Sequence, residues 1–481
     1  MVKRKNIPTF LTSLLKNKEE SRYARMIYAA IILLFILSAR LFYMQVVEGS
    51  YYKEEADGNR IRSIPVQATR GVMYDRNGVI LAGSRPAYSV IMPVDRKGNT
   101  LSDDELQKLS VLLKMPVADL KKKIEDNKRA FGAIYLANDV GVDVATQIEE
   151  KKDDFPGIQI EVNPLRVYPL GAAGAQVLGY VGEAGPDDKD ADGNPYTTAT
   201  LIGRAGIERK YNQYLEGKNG SKTIEVNASG QPVGYVGGTP AVSGNNIRLT
   251  LDANLQKAAE DAIDSQVKIL AKSGIYATGA SAVAIDPNSG AVLAMVSEPS
   301  YDPNRFSKGI STADWNQIIN NKNHPMQNRT IASMYPPGSL FKVVTGAAAL
   351  EAKVMSPTER IFDSGKHWLV DKRNAQGEAF GWIDFYEALE KSDNVYFYEM
   401  GRRLGIDKLS QMAREFGLGK PTGIDLAGEA DGNVASEEYK KKVFDQDWYL
   451  GETMDAAIGQ SYTLTTPIQM AMVYSSIANG G

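Results

Sequence analysis

The sequence predicts a membrane-anchored α+β protein, with an N-terminal transmembrane helix, a mixed α+β region, and a C-terminal domain built as an antiparallel sheet flanked by helices. Three observations predict it. A basic segment is followed by a long apolar run, Met26 to Val47. Beyond that run, apolar residues alternate between helical and strand spacing. Near the chain's middle, two β-rich runs flank a Pro-Asn-Ser-Gly turn, which signals an antiparallel hairpin.

The anchor comes first. Residues 1–25 carry Lys3, Arg4, Lys5, Lys16, Lys18, Arg22 and Arg25 against only Glu19 and Glu20. The run 26–47, with Arg40 and Gln45 its only strongly polar members, spans roughly 33 Å as a helix, enough for a bilayer core. Arg40 lies near the far end, where its stem reaches the interface. Ser38-Ala39-Arg40-Leu41 offers no small-residue cleavage site, so the segment reads as an uncleaved, single-pass anchor rather than a signal peptide or a core helix. The basic flank places the N-terminus in the cytoplasm and the rest outside.

Residues 48–243 follow as mixed α+β. Ser102-Asp103-Asp104-Glu105 is a capping box before a helix with Leu106, Leu109 and Leu113 on one face, and Leu120 and Ile124 mark a second. Gly157 to Val162 alternates as a strand. Lys121-Lys122-Lys123 reads as a solvated face. The Gly237–Gly244 stretch is the domain boundary, leaving residues 244–481 as the second domain. There, Leu255, Ala259, Ile263, Val267 and Leu270 define a helix after Asp252, and Ala280–Ser297 forms the hairpin.

Composition narrows the chemistry. The 481 residues include no cysteine, which excludes disulfides, thiol nucleophiles and cysteine metal sites. Only two histidines are present, so a multi-histidine metal site is excluded. Both, His324 and His367, read as surface or structural. A net charge of −3 argues against nucleic-acid binding through bulk charge. Asp188 to Gly193 matches half of a calcium loop, but the twelfth position is Ala199 rather than Glu, so an acidic solvated loop is the reading. No metal or organic cofactor is expected.

A nucleophile is therefore serine or threonine, activated without histidine. In Tyr335 to Glu351, Pro336-Pro337-Gly338 break the chain and helical spacing follows. Ser339 falls at the helix N-terminus and Lys342 one turn on, so an amine can reach the hydroxyl. The positive helix end and burial would both lower the lysine's pKa, which makes it a base. Ser392-Asp393-Asn394 opens a second helix; its serine can relay a proton and its asparagine amide can hold a substrate carbonyl. Ser-x-x-Lys followed by Ser-Asp-Asn is shared by β-lactamases and penicillin-binding proteins.

The sequence here resembles the class B penicillin-binding proteins, and within them the elongation type, penicillin-binding protein 2. The resemblance rests further on Arg70-Gly71 through Tyr74-Asp75-Arg76-Asn77-Gly78, on Arg166, Tyr168-Pro169 and Gly171 leading to Gly179–Gly182, and on Gly203 to Gly217 with Glu208. Ile247–Gln256, Asn328-Arg329, Trp448-Tyr449, Ile458-Gly459-Gln460 and Thr466-Pro467-Ile468-Gln469 also fit. It implies a dimerisation-type pedestal over 48–243 and a transpeptidase domain over 244–481. It implies a serine D,D-transpeptidase that cross-links peptidoglycan stem peptides during cell elongation and is inhibited by β-lactams. Ser339 would be the nucleophile, Lys342 the general base, Ser392 the proton shuttle and Asn394 a substrate-positioning amide. The implied partner is a membrane glycan polymerase of the elongation machinery, and the implied location is the plasma membrane with the catalytic domain outside. The alternatives are a non-catalytic cell-wall scaffold, and a D,D-carboxypeptidase or penicillin-hydrolysing sensor. One departure stands out: the family's Lys-Thr-Gly strand is missing, because Lys420-Pro421-Thr422-Gly423 comes too early and puts proline where a strand donor is needed. The expectation is a transpeptidase domain truncated at its C-terminus, whose sheet is incomplete and whose activity is impaired.

Overall fold

The computed structural model describes residues 20–53, 61–93, 101–126, 133–185, 187–190, 193–196, 200–226 and 232–481. The chain divides into two compact units, Met1–Val66 with Asn219–Pro240, and Gln67–Lys218 with Ala241–Gly481.

In the first unit, most of the basic tail lies outside the described residues. A helix from Glu20 to Phe42 runs into a wider turn, Tyr43–Val47. From Met26 to Phe42 its apolar side chains are exposed all round, Ile31, Leu34 and Phe35 among them, as in a helix made to face lipid rather than a core. The segment Arg22–Val47 is long and apolar enough to cross a membrane. The unit also holds a three-stranded antiparallel sheet, with Gly220–Val226 between Ile61–Val66 and Pro232–Thr239.

The second unit is built on a long strand, Ile80–Pro93, which pairs antiparallel with Ala133–Val140 and Gln159–Val167. Met73–Tyr74 extends this sheet and pairs parallel with Ile247–Arg248. The helices Asp103–Leu113, Val117–Asp126 and Val142–Glu150 cover one core, where Leu106, Leu109, Leu120 and Ile148 meet Val90, Met92 and Leu136. The Ser102 capping box forms with both of its hydrogen bonds. The strand expected from Gly157 begins instead at Gln159, because Gly157 is left-handed (φ +87°) and Ile158 N–H closes a turn on Phe155 O. Lys123 is also not part of a solvated face. Its amine donates to the Leu136 carbonyl at 3.0 Å, so the stem lies against the sheet and burial lowers its pKa. In the Asp188–Gly193 loop, Asp188 pairs with Arg204 at 2.8 Å, while Ala191, Asp192 and Ala199 lie outside the described residues.

Arg70, Arg166, Tyr168 and Glu208, four of the residues that carry the family resemblance, converge on one buried ion cluster. Arg70 Nε and Arg166 Nε lie 2.6 and 2.7 Å from the two oxygens of Glu208, and the Tyr168 hydroxyl donates to the same carboxylate at 3.1 Å. Glu208 is fully buried. Burial alone would favour its protonation, but the two guanidiniums outweigh that and hold the carboxyl below its ordinary range. Asp75, also fully buried, accepts from Asn77 and Val79 N–H and from Ala253 N–H, tying this region to the next helix.

That helix, Ala253–Lys272, begins after Asp252 as expected, and Asp252 caps it. Ala259, Ile263, Val267 and Leu270 are half-buried on its inward face, but at its start Leu255 is exposed and Gln256 is buried. The Gln256 amide donates to Met295 O and accepts from Met295 N–H, so it pairs with the strand Val292–Glu298 as a neighbouring backbone would. A side chain that satisfies both strand groups is worth more here than one more apolar contact. The hairpin forms from Ala280–Ile285 and Val292–Glu298. Lys420–Gly423 lies in a loop, where Thr422 N–H is held by Glu429. The largest core gathers Phe341, Val344, Ala348, Tyr396, Phe397, Met400, Met454 and Val473, and the first and last turns of its helices present the site.

Candidate active site

The nucleophile turn is pinned before any side chain is considered. Tyr335 bridges to Thr465 through two backbone hydrogen bonds of 2.9 Å, which fixes the extended entry through Pro336-Pro337. Gly338, at φ +58°, starts a 3-10 turn, Gly338–Phe341, that runs into the helix Lys342–Glu351. Its N–H donates to Gly459 O at 2.9 Å. Gly459 must be glycine: it has φ +72°, and a Cβ there would lie 2.3 Å from Gly338 O. One turn into the helix, the Thr345 hydroxyl donates to Ala457 O at 2.7 Å. Ser339 is thus exposed on a rigid turn, with Lys342 directly behind it and buried.

The second element is the helix Asn394–Leu404. Asp393 caps it, its carboxylate accepting from Tyr396 N–H at 2.6 Å. Ser392, immediately before, sits at φ +54°, a conformation that costs a non-glycine residue about 1–3 kcal/mol. This left-handed residue aims both its carbonyl and its hydroxyl at Lys342. Lys342 Nζ donates to Ser392 O at 2.6 Å, to Ser392 Oγ at 3.1 Å and to Asn394 Oδ1 at 2.7 Å. The Ser392 hydroxyl in turn donates to Ser339 Oγ at 2.9 Å. All four expected site residues therefore share one hydrogen-bonded chain, in which Ser392 links the amine to Ser339.

Each partner of the amine is neutral. Burial lowers the Lys342 pKa to about 8, and the nearby Asp393 carboxyl only partly pulls it back. At neutral pH roughly a tenth of the amine is unprotonated, which suffices for a base. Burial also raises Asp393, to about 6, with Asp363 adding to the rise.

Sequence reasoning missed the layer behind this chain. Asn374, in a loop with no recognisable motif, accepts from Asn394 N–H at 2.7 Å and Val395 N–H at 3.1 Å. Its amide donates to Asp363 at 2.8 Å. His367 is not at the surface but buried, with Nε2 3.2 Å from Glu399. The aromatic run Tyr396-Phe397-Tyr398 is core, and the Phe397 ring lies 5.6 Å from Lys342 Nζ.

Comparison with known proteins gives a consistent result. Residues 280–481 match the penicillin binding protein transpeptidase domain, and residues 65–249 the penicillin-binding protein dimerisation domain. The peptidoglycan D,D-transpeptidase MrdA of Escherichia coli (strain K12) is 35% identical over 473 residues, 96% of this chain and 72% of that protein. Among solved structures, the penicillin-binding protein PBP2 of Helicobacter pylori in complex with MreC is similar with a TM-score of 0.73 at 30% identity, over 87% of this chain and 77% of that one. PBP2 of Pseudomonas aeruginosa in complex with WCK 5153 is similar with a TM-score of 0.58 at 30% identity, over 87% of this chain and 70% of that one.

Proposed function

The chain belongs to the penicillin-binding proteins, and on that premise we propose that it is a peptidoglycan D,D-transpeptidase that acts through Ser339 and is a target of β-lactams. The observation that carries the assignment of residues is the continuous path Lys342–Ser392–Ser339, with the amine surrounded by neutral acceptors. A scaffold without catalysis would have no use for a buried amine, poised near neutrality, behind an exposed serine.

The chemistry follows from that path. Unprotonated Lys342 takes the Ser339 proton by way of Ser392, and Ser339 Oγ attacks the penultimate D-Ala carbonyl of a stem peptide. The carbonyl–nitrogen bond breaks, and the proton returns through Ser392 to the departing amine of the terminal D-Ala. An amine from a second strand then attacks the ester, which releases Ser339 with its proton and leaves the cross-link. Asn394, whose carbonyl accepts from Lys342 and whose amide donates at 3.5 Å to Arg373 O, has a second N–H for a substrate carbonyl. A β-lactam follows the first half of this course.

The basic flank before the apolar helix supports a cytoplasmic N-terminus, a single span and an extracytoplasmic catalytic domain. The domain reading remains a pedestal over 48–243 and a transpeptidase domain over 244–481. A solved PBP2 bound to MreC supports work within a complex, and the partner proposed here is a membrane glycan polymerase of the elongation machinery. Fluorescent penicillin tests the assignment: the chain is expected to be labelled covalently and Ser339→Ala not at all. Undiminished labelling of Ser339→Ala would overturn it.

A further inference from the structure

We propose that Asn374 is a positioning residue for acylation, one that sets the pose of Ser392 and Asn394 against Lys342 without touching substrate; this rests on the transpeptidase reading above. A helix N-terminus leaves four backbone N–H groups without helical partners. In the helix Asn394–Leu404 two side chains share that task. Asp393 takes Tyr396 N–H, as a cap does. Asn374 Oδ1, arriving from a separate loop, takes both Asn394 and Val395 N–H. The residue so clamped is Asn394, whose own Oδ1 receives Lys342 Nζ, and the left-handed Ser392 lies two residues before it. A left-handed serine holds its place only where its surroundings determine it, and this clamp is part of those surroundings.

The Asn374 amide cannot turn over. Its Nδ2 donates to Asp363 Oδ2 at 2.8 Å and Glu378 O at 3.1 Å, and lies 3.5 Å from Asp393 Oδ2. Asp363 lies close enough to Asp393 to help raise its pKa, and all three side chains are buried. Asp363 is fixed further by Gly365 and Phe380 N–H. The cations of this loop pair elsewhere: Lys372 with Asp455 at 2.5 Å, and Lys366 and Arg373 with Asp371 at 3.1 and 3.2 Å. Asparagine alone among residues of its shape supplies an acceptor to the helix and a donor to two carboxyls.

Asn374→Asp isolates the donor. It keeps an oxygen for the helix but sets a third carboxyl against Asp363 and Asp393. Acylation by a penicillin, followed in the full chain in detergent from pH 5.5 to 8.5, is expected to slow about 10- to 100-fold at pH 8. As pH falls, the introduced carboxyl gains a proton and becomes a donor again, so the variant-to-unsubstituted rate ratio should climb even though both rates fall. Asn374→Ala, which has neither function, should be slowed with a ratio that stays flat across pH. Final labelled fractions report folded protein and separate rate from loss of fold. An Asn374→Asp rate equal to the unsubstituted rate, or a slowed rate whose ratio does not move with pH, overturns the inference alone. An unsubstituted chain that is never acylated overturns the transpeptidase reading, and this inference with it.

Discussion

Two buried charge clusters in this chain use opposite designs. Around Lys342 the amine meets only neutral oxygens, from Ser392 and Asn394, and burial pulls its pKa down to about 8. Around Glu208 a carboxylate is gripped by Arg70 and Arg166 and held ionised. Both sites deny their charges water. They differ in whether a counter-charge replaces it, and that decides whether the group can change protonation state near neutral pH. The first is a group poised to react; the second is a lock that joins segments far apart in sequence. Perturbation alone therefore does not mark function, but perturbation toward neutrality beside an exposed nucleophile does.

The largest expected effect breaks the reactive cluster. Lys342→Met keeps the volume and removes the base, so acylation should fall about 10²- to 10⁴-fold. In the unsubstituted chain the rate should rise with pH until about 8, as the amine loses its proton, and the variant should show no such limb. Folding stability should change by less than about 1 kcal/mol, because burying that amine already opposes folding. Stopped-flow penicillin acylation and urea unfolding read the two effects. A large stability loss with normal acylation would mean Lys342 is the lock.

Next comes the lock itself. Glu208→Ala leaves Arg70 and Arg166 buried without a counter-charge, which should cost about 3–5 kcal/mol of stability. The Ser339 chemistry of the surviving folded fraction should be unchanged. Unaltered urea midpoints in detergent would show that the guanidiniums find other partners, and the contrast between the two clusters would fail.

The two clusters were also unequally legible. Pro-Pro-Gly before Ser339 announces a break, and the i, i+3 lysine follows from helical spacing, so the nucleophile turn could be read from local sequence. Arg70, Arg166 and Glu208 entered only through resemblance, since nothing local says that three charges so widely separated will meet. Asn374 had no signal at all: a lone asparagine in a loop is ordinary until the fold lays it across a helix end. The long helix shows the same limit. Its apolar spacing pointed to Leu255, while a strand edge in need of a hydrogen-bond partner selected Gln256. Periodicity reads which residues avoid water, but it does not read which backbone groups will lack a partner.

The smallest effect tests whether both designs can coexist on one helix. Asn394–Leu404 starts at the reactive cluster, and about one and a half turns on it carries Glu399, which accepts from Arg402 and Arg403 at 2.8 Å and faces His367. Burial there opposes ionisation, but the hydrogen bonds from Arg402, Arg403 and His367 overcome it and hold Glu399 at about 2. An unfolded glutamate titrates at about 4.3, so the folded state gains stability from this group above that pH and loses it as pH falls toward 2. Glu399→Gln should therefore cost about 1–2 kcal/mol at pH 7, with a smaller gap at pH 3.5, both read by urea unfolding. Acylation of the folded variant should match the unsubstituted rate, because the changed charge lies on the locked part of the helix, away from Lys342, whose hydrogen-bond partners are Ser392 and Asn394. A stability gap that does not shrink in acid would show that Glu399 acts through packing rather than charge. An acylation rate that falls with the substitution would show that the helix transmits the lock to the site, and that the two designs are one.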